Sequence, residues 1–328
     1  MTEAARPVRA QAELVVQKLL AVRTGEQLAI VVDTQTELDM LHALTDVASE
    51  AGAEVTVLTM PLRETARKND LGPVIERALE GADALIGLTR SSGAPSYAGV
   101  VTRLCAEKRL RYLSMVMRGL SHFTEGGALA DYPALHAEGE HLAERWRRAH
   151  KIHVVTPEGT DLRAVIEGGE VIVECGLADR PGARAAFADG EVSQMPKQGT
   201  AEGRIVVDGP IAHLGAGDSF HLAVKAGKVL AVGGAGARAT ALRKILGSVP
   251  NASNVAEVGI GLNPECRRNG DFEEEKKARG LVHVALGDNL FYGGSVKCGV
   301  HMDMVLYRPT VSLDGQVIVD DGRLVALG

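Results

Sequence analysis

Long apolar runs alternate with amphipathic stretches over the first 150 residues. Gln27 to Val32 is a continuous apolar run closed by Asp33-Thr34, and Glu54 to Leu58, Asp83 to Leu88 and Arg111 to Val116 repeat the pattern. Around them, Ala10 to Val22, Glu37 to Ala51, Tyr97 to Lys108 and Pro133 to Ala149 carry apolar residues at helical spacing, the second stopped by Gly52. Strands with no polar alternation are buried on both faces. Separated by helices, they predict an α/β domain with a parallel sheet over residues 1–150.

From Lys151 the pattern changes to short alternating segments. Ile152 to Thr156, Leu162 to Ile166, Val171 to Cys175, Arg204 to Val207 and Val229 to Val232 read as strands, and Arg238 to Leu246 as a helix. Asp314-Gly315 and Asp321-Gly322 have the residues of two-residue hairpin turns. These features predict a β-rich α+β domain over 151–328. Gly233-Gly234-Ala235-Gly236 reads as a tight strand-to-helix turn. No Gly-x-Gly-x-x-Gly follows the first strand, where a dinucleotide fold places it. The run Glu273 to Lys277 reads as a solvated surface helix.

Three further strands carry chemistry. In Val300-His301-Met302-Asp303-Met304, His301 and Asp303 share one face and the methionines the other. Val255 to Leu262 puts Glu257, Gly259 and Gly261 on one face against Ala256, Val258 and Ile260. Leu281 to Gly287 puts His283, Ala285 and Gly287 against Val282, Val284 and Leu286. Each strand presents one or two ligand-type side chains, and the strands of Glu257 and His283 follow theirs with residues that have little side chain. Small residues there are expected to leave space for an ion and a substrate. A buried Glu257 needs a cation or a donor beside it. The pattern predicts a metal site whose imidazoles and carboxylates suit a divalent ion.

Composition narrows the partners. Aromatic residues make up only 3% of the 328, so platforms for stacking nucleic-acid bases are not expected. The net charge of −6 argues against nucleic acid or an anionic membrane as partner. There is no apolar run of membrane-spanning length, and Met1 to Arg6 lacks the apolar core of a signal peptide, so a cytoplasmic protein is expected. None of Cys105, Cys175, Cys266 and Cys298 is in Cys-x-x-Cys spacing, which excludes a thiolate zinc finger. Cys298, three residues before His301, is a candidate to line the site.

These motifs, in this order, resemble the thermophilic aminopeptidase superfamily, the aminopeptidase T and S type of two-metal peptidase. Gly190-Glu191-Val192, Ala256-Glu257-Val258, His283-Val284-Ala285-Leu286-Gly287 and His301-Met302-Asp303 are similar to its ligand stretches, and Thr156 to Leu162 to its second-domain opening. The resemblance implies Glu191, Glu257, His283, His301 and Asp303 as ligands of two divalent ions (zinc, cobalt or manganese). It implies a metal-activated water that cleaves an N-terminal peptide bond or a small amide. Leu290 stands where the peptidases have a tyrosine, and Tyr292 is the nearby catalytic candidate; His213 and His221 are further candidates for proton transfer. Arg238 and Arg308 are candidates to bind a substrate carboxylate.

The same superfamily contains the 2,5-dihydroxypyridine 5,6-dioxygenases, which use one iron(II). This chain resembles them through its length, Gly261-Leu262-Asn263-Pro264 and His301-x-Asp303, although that branch has a histidine at the position of Glu257 and lacks the acid at Glu191. The ligand chemistry favours the metallohydrolase, with the Fe(II) ring-cleaving dioxygenase as the alternative. A small-molecule or peptide substrate and a homodimer are the partners the resemblance implies.

Overall fold

A computed structural model describes residues 5–62, 71–90 and 95–325. The outermost residues of the N-terminus therefore lie outside the described set. In chain order, the strands are β1 Gln27–Asp33, β2 Glu54–Met60, β3 Ala84–Thr89, β4 Arg111–Val116, β5 Lys151–Val155 and β6 Asp161–Val165. They continue with β7 Val171–Glu174, β8 Arg184–Ala186, β9 Glu191–Gln194, β10 Glu202–Val207, β11 Phe220–Lys225 and β12 Lys228–Gly233. The last are β13 Val255–Gly261, β14 Val282–Gly287, β15 His301–Leu306, β16 Thr310–Leu313, β17 Gln316–Asp320 and β18 Arg323–Leu324.

The chain divides into two compact units, residues 1–136 with 174–189, and residues 137–173 with 190–328. The first holds a parallel sheet of order β2-β1-β3-β4-β8. Its middle strands β1 and β3 are buried almost throughout, as their unbroken apolar runs require. Strand β2 lies at the sheet's edge and leaves Val57 exposed. The first helix runs Ala5–Glu13 and continues as a π turn, Leu14–Leu19. A short helix at Pro73–Leu79 has no counterpart in the sequence reading.

The second unit is built on two antiparallel sheets, as the alternating pattern predicts. One has the order β12-β11-β10-β6-β5-β16-β17-β18, the other β15-β14-β13-β9-β7. The Asp-Gly turns join β16 to β17 and β17 to β18. Their residues have positive φ (Asp314 49°, Gly315 85°; Asp321 46°, Gly322 77°), as a primed turn demands. Ala226-Gly227 makes a third such turn between β11 and β12. With alanine in place of Asn or Asp it carries no strong turn signature, and β11 went unread. The glycine run at 233–236 is a strand-to-helix turn leading into a helix at Ala237–Ser248. Among the described residues no helix is long and apolar enough to cross a membrane.

Candidate metal centre

The five-stranded sheet brings the ligand-type residues together through its register. Gly261 pairs with Glu191, and Gly259 with both Ser193 and His283. Ala285 lies between Glu257 and Asp303, and Gly287 opposite His301. Nearly every row across this face thus sets a functional side chain beside glycine or alanine. Adjacent strands are about 4.8 Å apart, so a small residue in the middle strand lets groups two strands apart lean together.

The small residues do not leave an open cavity, contrary to the expectation above. A Cβ on Gly259 would come within 2.2 Å of His283 Nε2, so the imidazole fills that place. A Cβ on Gly261 would come within 2.6 Å of the carbonyl carbon of Lys277, so a neighbouring backbone fills that one. The glycines serve close packing, and Glu191, Glu257, His283 and Asp303 are all buried.

Glu257 is the hub. His283 Nε2 lies 2.9 Å from its Oε1 and His301 Nε2 lies 2.8 Å from its Oε2. Asp303 Oδ1 is 3.3 Å from the same His301 nitrogen, and Glu191 Oε2 is 3.7 Å from His283 Nε2. The five residues form two ligand groups sharing Glu257: Glu191 with Glu257 and His283, and Glu257 with His301 and Asp303. Tyr292 is buried, its hydroxyl 3.0 Å from Ser193 Oγ, two residues along β9 from Glu191.

The orientation of His301 tests whether a metal fits. Its Nδ1 lies 2.7 Å from the backbone carbonyl of Asp288. A carbonyl only accepts, so Nδ1 carries the proton. In the neutral ring Nε2 then aims a lone pair at two carboxylate oxygens. That arrangement demands a positive charge, a second ring proton or a metal ion, and the carbonyl behind the ring is the usual support of a metal-ligating imidazole. Asp303 Oδ1, buried beside it, has no hydrogen-bond partner among the described residues. The donors fit a divalent cation at Glu257, His301 and Asp303.

Two lysines missed in the sequence complete the electrostatics. Glu273 to Lys277 is not a solvated helix: Glu274, Glu275 and Lys277 are buried. A single helical turn, Phe272–Glu275, is capped by the Asp271 side chain, which accepts from Glu273 N. Glu274 holds Arg267, and Glu275 accepts from Tyr307 Oη at 2.6 Å. The turn delivers Lys276 Nζ to 3.2 Å from Asp303 Oδ2 and Lys277 Nζ to 3.3 Å from Glu191 Oε2. A block of acids followed by bases resembles a surface segment in sequence; only the register of its landing strand reveals the ion pairs.

These charges set the protonation states. Burial and the charge of Asp303 push the Glu257 carboxyl up, but hydrogen bonds from both imidazoles outweigh them and hold it below the usual range. Burial pushes Asp303 up, and Lys276 and His301 bring it well below its ordinary value. For Glu191, burial is likewise overcome, by Lys276, Lys277 and His283. Burial lowers Lys276 and His283, yet the carboxylates around them raise both, Lys276 strongly. The cluster is therefore a buried set of ionised carboxylates held by cations.

Other sequence candidates lie elsewhere. Arg238 spends all five N–H groups on the backbone carbonyls of Gly209, Gly215, Gly217 and Asp218, so it clamps a loop rather than a substrate. Arg308 pairs with exposed Asp321. His221 sits on β11 opposite Gly233, and His213 is exposed in a turn at φ 65°; neither belongs to a ligand group. Cys298 Sγ donates to the Val300 carbonyl at 3.3 Å.

The parallel α/β sheet, the antiparallel β-rich sheets and the buried carboxylate–imidazole cluster define the class: an enzyme with a site suited to a divalent metal. The family model for 2,5-dihydroxypyridine 5,6-dioxygenase (NicX) matches residues 11–326, and the chain belongs to that family. The 2,5-dihydroxypyridine 5,6-dioxygenase of Pseudomonas putida strain KT2440 is 25% identical over 196 residues, a match spanning 55% of each chain, about half of that relative's length. A solved 2,5-dihydroxypyridine dioxygenase from Pseudomonas putida KT2440 is similar with a TM-score of 0.81 at 20% identity over 98% of both chains. AmpT from Thermus thermophilus is similar with a TM-score of 0.71 at 18% identity, over 98% of this chain and 99% of that one. At such identities the structural likeness speaks for the fold alone.

The family match overturns the expectation of an aminopeptidase-like metallohydrolase. Ligand types weighed too heavily in that expectation. Two of the three carboxylates already face a lysine, a pairing that counting ligands left out.

Proposed function

We propose that the chain is an Fe(II)-dependent dioxygenase that opens the ring of a dihydroxylated pyridine. The observation that carries this reading is the family match over residues 11–326. Glu257, His301 and Asp303 would hold the ion, one imidazole and two carboxylates, related to the two-histidine-one-carboxylate sets of non-haem iron oxygenases. Bound there, iron(II) would supply the one-electron chemistry toward dioxygen that an aromatic ring does not undergo unaided.

The chain's own residues orient and insulate that centre. The Asp288 carbonyl fixes the His301 ring with Nε2 turned toward Glu257 and Asp303. Lys276 holds Asp303 by Oδ2 and leaves Oδ1 toward the ion. Burial of Glu257, His283 and Asp303 limits water at the cluster, while His301, at 14% side-chain exposure, is the ligand most open to an incoming molecule.

The test is anaerobic loading with iron(II), then dioxygen uptake in the presence of 2,5-dihydroxypyridine. One dioxygen consumed per ring opened, with both atoms of labelled dioxygen in the product, is the expected result. No uptake with 2,5-dihydroxypyridine or other dihydroxypyridines by iron-loaded protein would overturn the reading.

A further inference from the structure

Five ligand-type residues are enough for two metal ions, and two lysines stand among them. Glu191, Glu257 and Asp303 are three buried carboxylates, and two of them face an ammonium. We propose that the ammonium of Lys277 stands in for a second metal ion at Glu191 and His283, so that the centre takes one divalent ion, at Glu257, His301 and Asp303. The inference rests on the single-ion reading above and supplies its physical basis in this chain.

The first argument is competition for one atom. Glu191 Oε2 lies 3.3 Å from Lys277 Nζ and 3.7 Å from His283 Nε2. An ion bound between Glu191 Oε2 and His283 Nε2 would stand against the ammonium, which lies 3.3 Å from the same oxygen.

The second argument is charge. With neutral imidazoles, three carboxylates and two ammoniums leave one net negative charge. One divalent ion turns this to a single positive charge. A second would leave three positive charges in a buried cluster, a strongly disfavoured state.

The third argument is that Lys277 cannot readily leave. Its backbone is fixed against the end of β13: Asn263 N donates to Lys277 O at 3.0 Å, Arg279 N to Asn263 O at 3.0 Å, and Gly280 N to Gly261 O at 2.9 Å. Gly261 permits this approach because it has no Cβ to strike the Lys277 carbonyl. Lys277 itself is only 5% exposed. The stretch Gly261-Leu262-Asn263 thus places a cation as well as ending a strand.

The experiment is a cobalt(II) titration of the chelator-stripped full chain, read by visible absorption and by elemental analysis after gel filtration. The wild type is expected to bind one tight equivalent. Lys277→Met is expected to bind two, Lys277→Arg one, and the double variant Lys277→Met, Glu191→Gln one. Two tight equivalents in the wild type would overturn the proposal. So would one equivalent in a Lys277→Met variant with wild-type circular dichroism. If that variant does not fold, Glu191→Gln alone decides, since it keeps Lys277: one equivalent supports the proposal, and loss of all binding refutes it. Failure of dioxygen uptake would remove the reaction and leave the ion count standing, so the two readings fail separately.

Discussion

Nε2 of His301 lies 2.8 Å from Oε2 of Glu257, while the opposite nitrogen of the ring donates to the Asp288 carbonyl. The ring is thus turned so that its metal-binding atom faces the carboxylate that also meets His283.

His301→Ala is therefore expected to abolish metal retention. Elemental analysis should find less than about a tenth of an ion per chain, since losing a group that merely supports a ligand costs ~10–100-fold in affinity and losing the ligand costs more. The parallel-sheet unit, with its own core, should stay folded by circular dichroism. Wild-type metal content in this variant would refute the assignment.

Lys276→Met leaves Asp303 buried without its ammonium. Stripped of metal, the variant is expected to lose about 3 kcal/mol in urea denaturation, the usual cost of breaking a buried pair. Cobalt(II) should restore more stability to the variant than to the wild type, because a bound cation takes over the charge of Asp303. Equal restoration in both proteins would mean that Lys276 and the ion do not act on the same carboxylate.

Gly259→Ala sets a methyl against the His283 imidazole. Overpacking of this kind costs about 1–3 kcal/mol, and the displaced ring should weaken cobalt binding. A crystal structure or melting curve indistinguishable from wild type would show that the strand is not packed as described.

Arg238→Lys should cost about 2–4 kcal/mol, because one ammonium cannot replace five hydrogen bonds to loop carbonyls. The KM of the iron-loaded enzyme should stay within about twofold, a difference of ~0.4 kcal/mol in binding. A large rise in KM without loss of stability would return Arg238 to substrate binding.

Acid stability should depend on Glu26 and Arg111 in the first unit. Arg111 is nearly buried and donates to both oxygens of Glu26, and to the Leu20 carbonyl at 3.0 Å. Burial raises the Glu26 carboxyl, and the hydrogen bonds from Arg111 and from the Arg23 backbone bring it below its ordinary value. A depressed carboxyl contributes stability above its unfolded pKa and loses it as pH falls through the folded one. Glu26→Gln should cost roughly 2 kcal/mol at pH 7 and flatten the decline below about pH 4. An unchanged acid limb would exclude this pair as its source.

The alternation of Glu257, His283, His301 and Asp303 with apolar residues put each on a face opposite a buried one, and that was legible because the period of a strand is two. The unbroken runs of β1 and β3 were legible for the same reason. Missed were β11, whose Ala226-Gly227 turn lacks a signature residue, and Lys276 with Lys277, which close a run of five charged residues.

Sequence alone determined the parallel sheet, the β-rich second half and the ligand-type residues on their strand faces, because these follow from local periodicity and side-chain chemistry. Tertiary structure decided which row each residue occupies, that glycines admit a ring and a backbone rather than a cavity, and that two ammoniums enter among three carboxylates. Such facts depend on strand register and on contacts between segments distant along the chain. No local window of residues encodes where its partner will land.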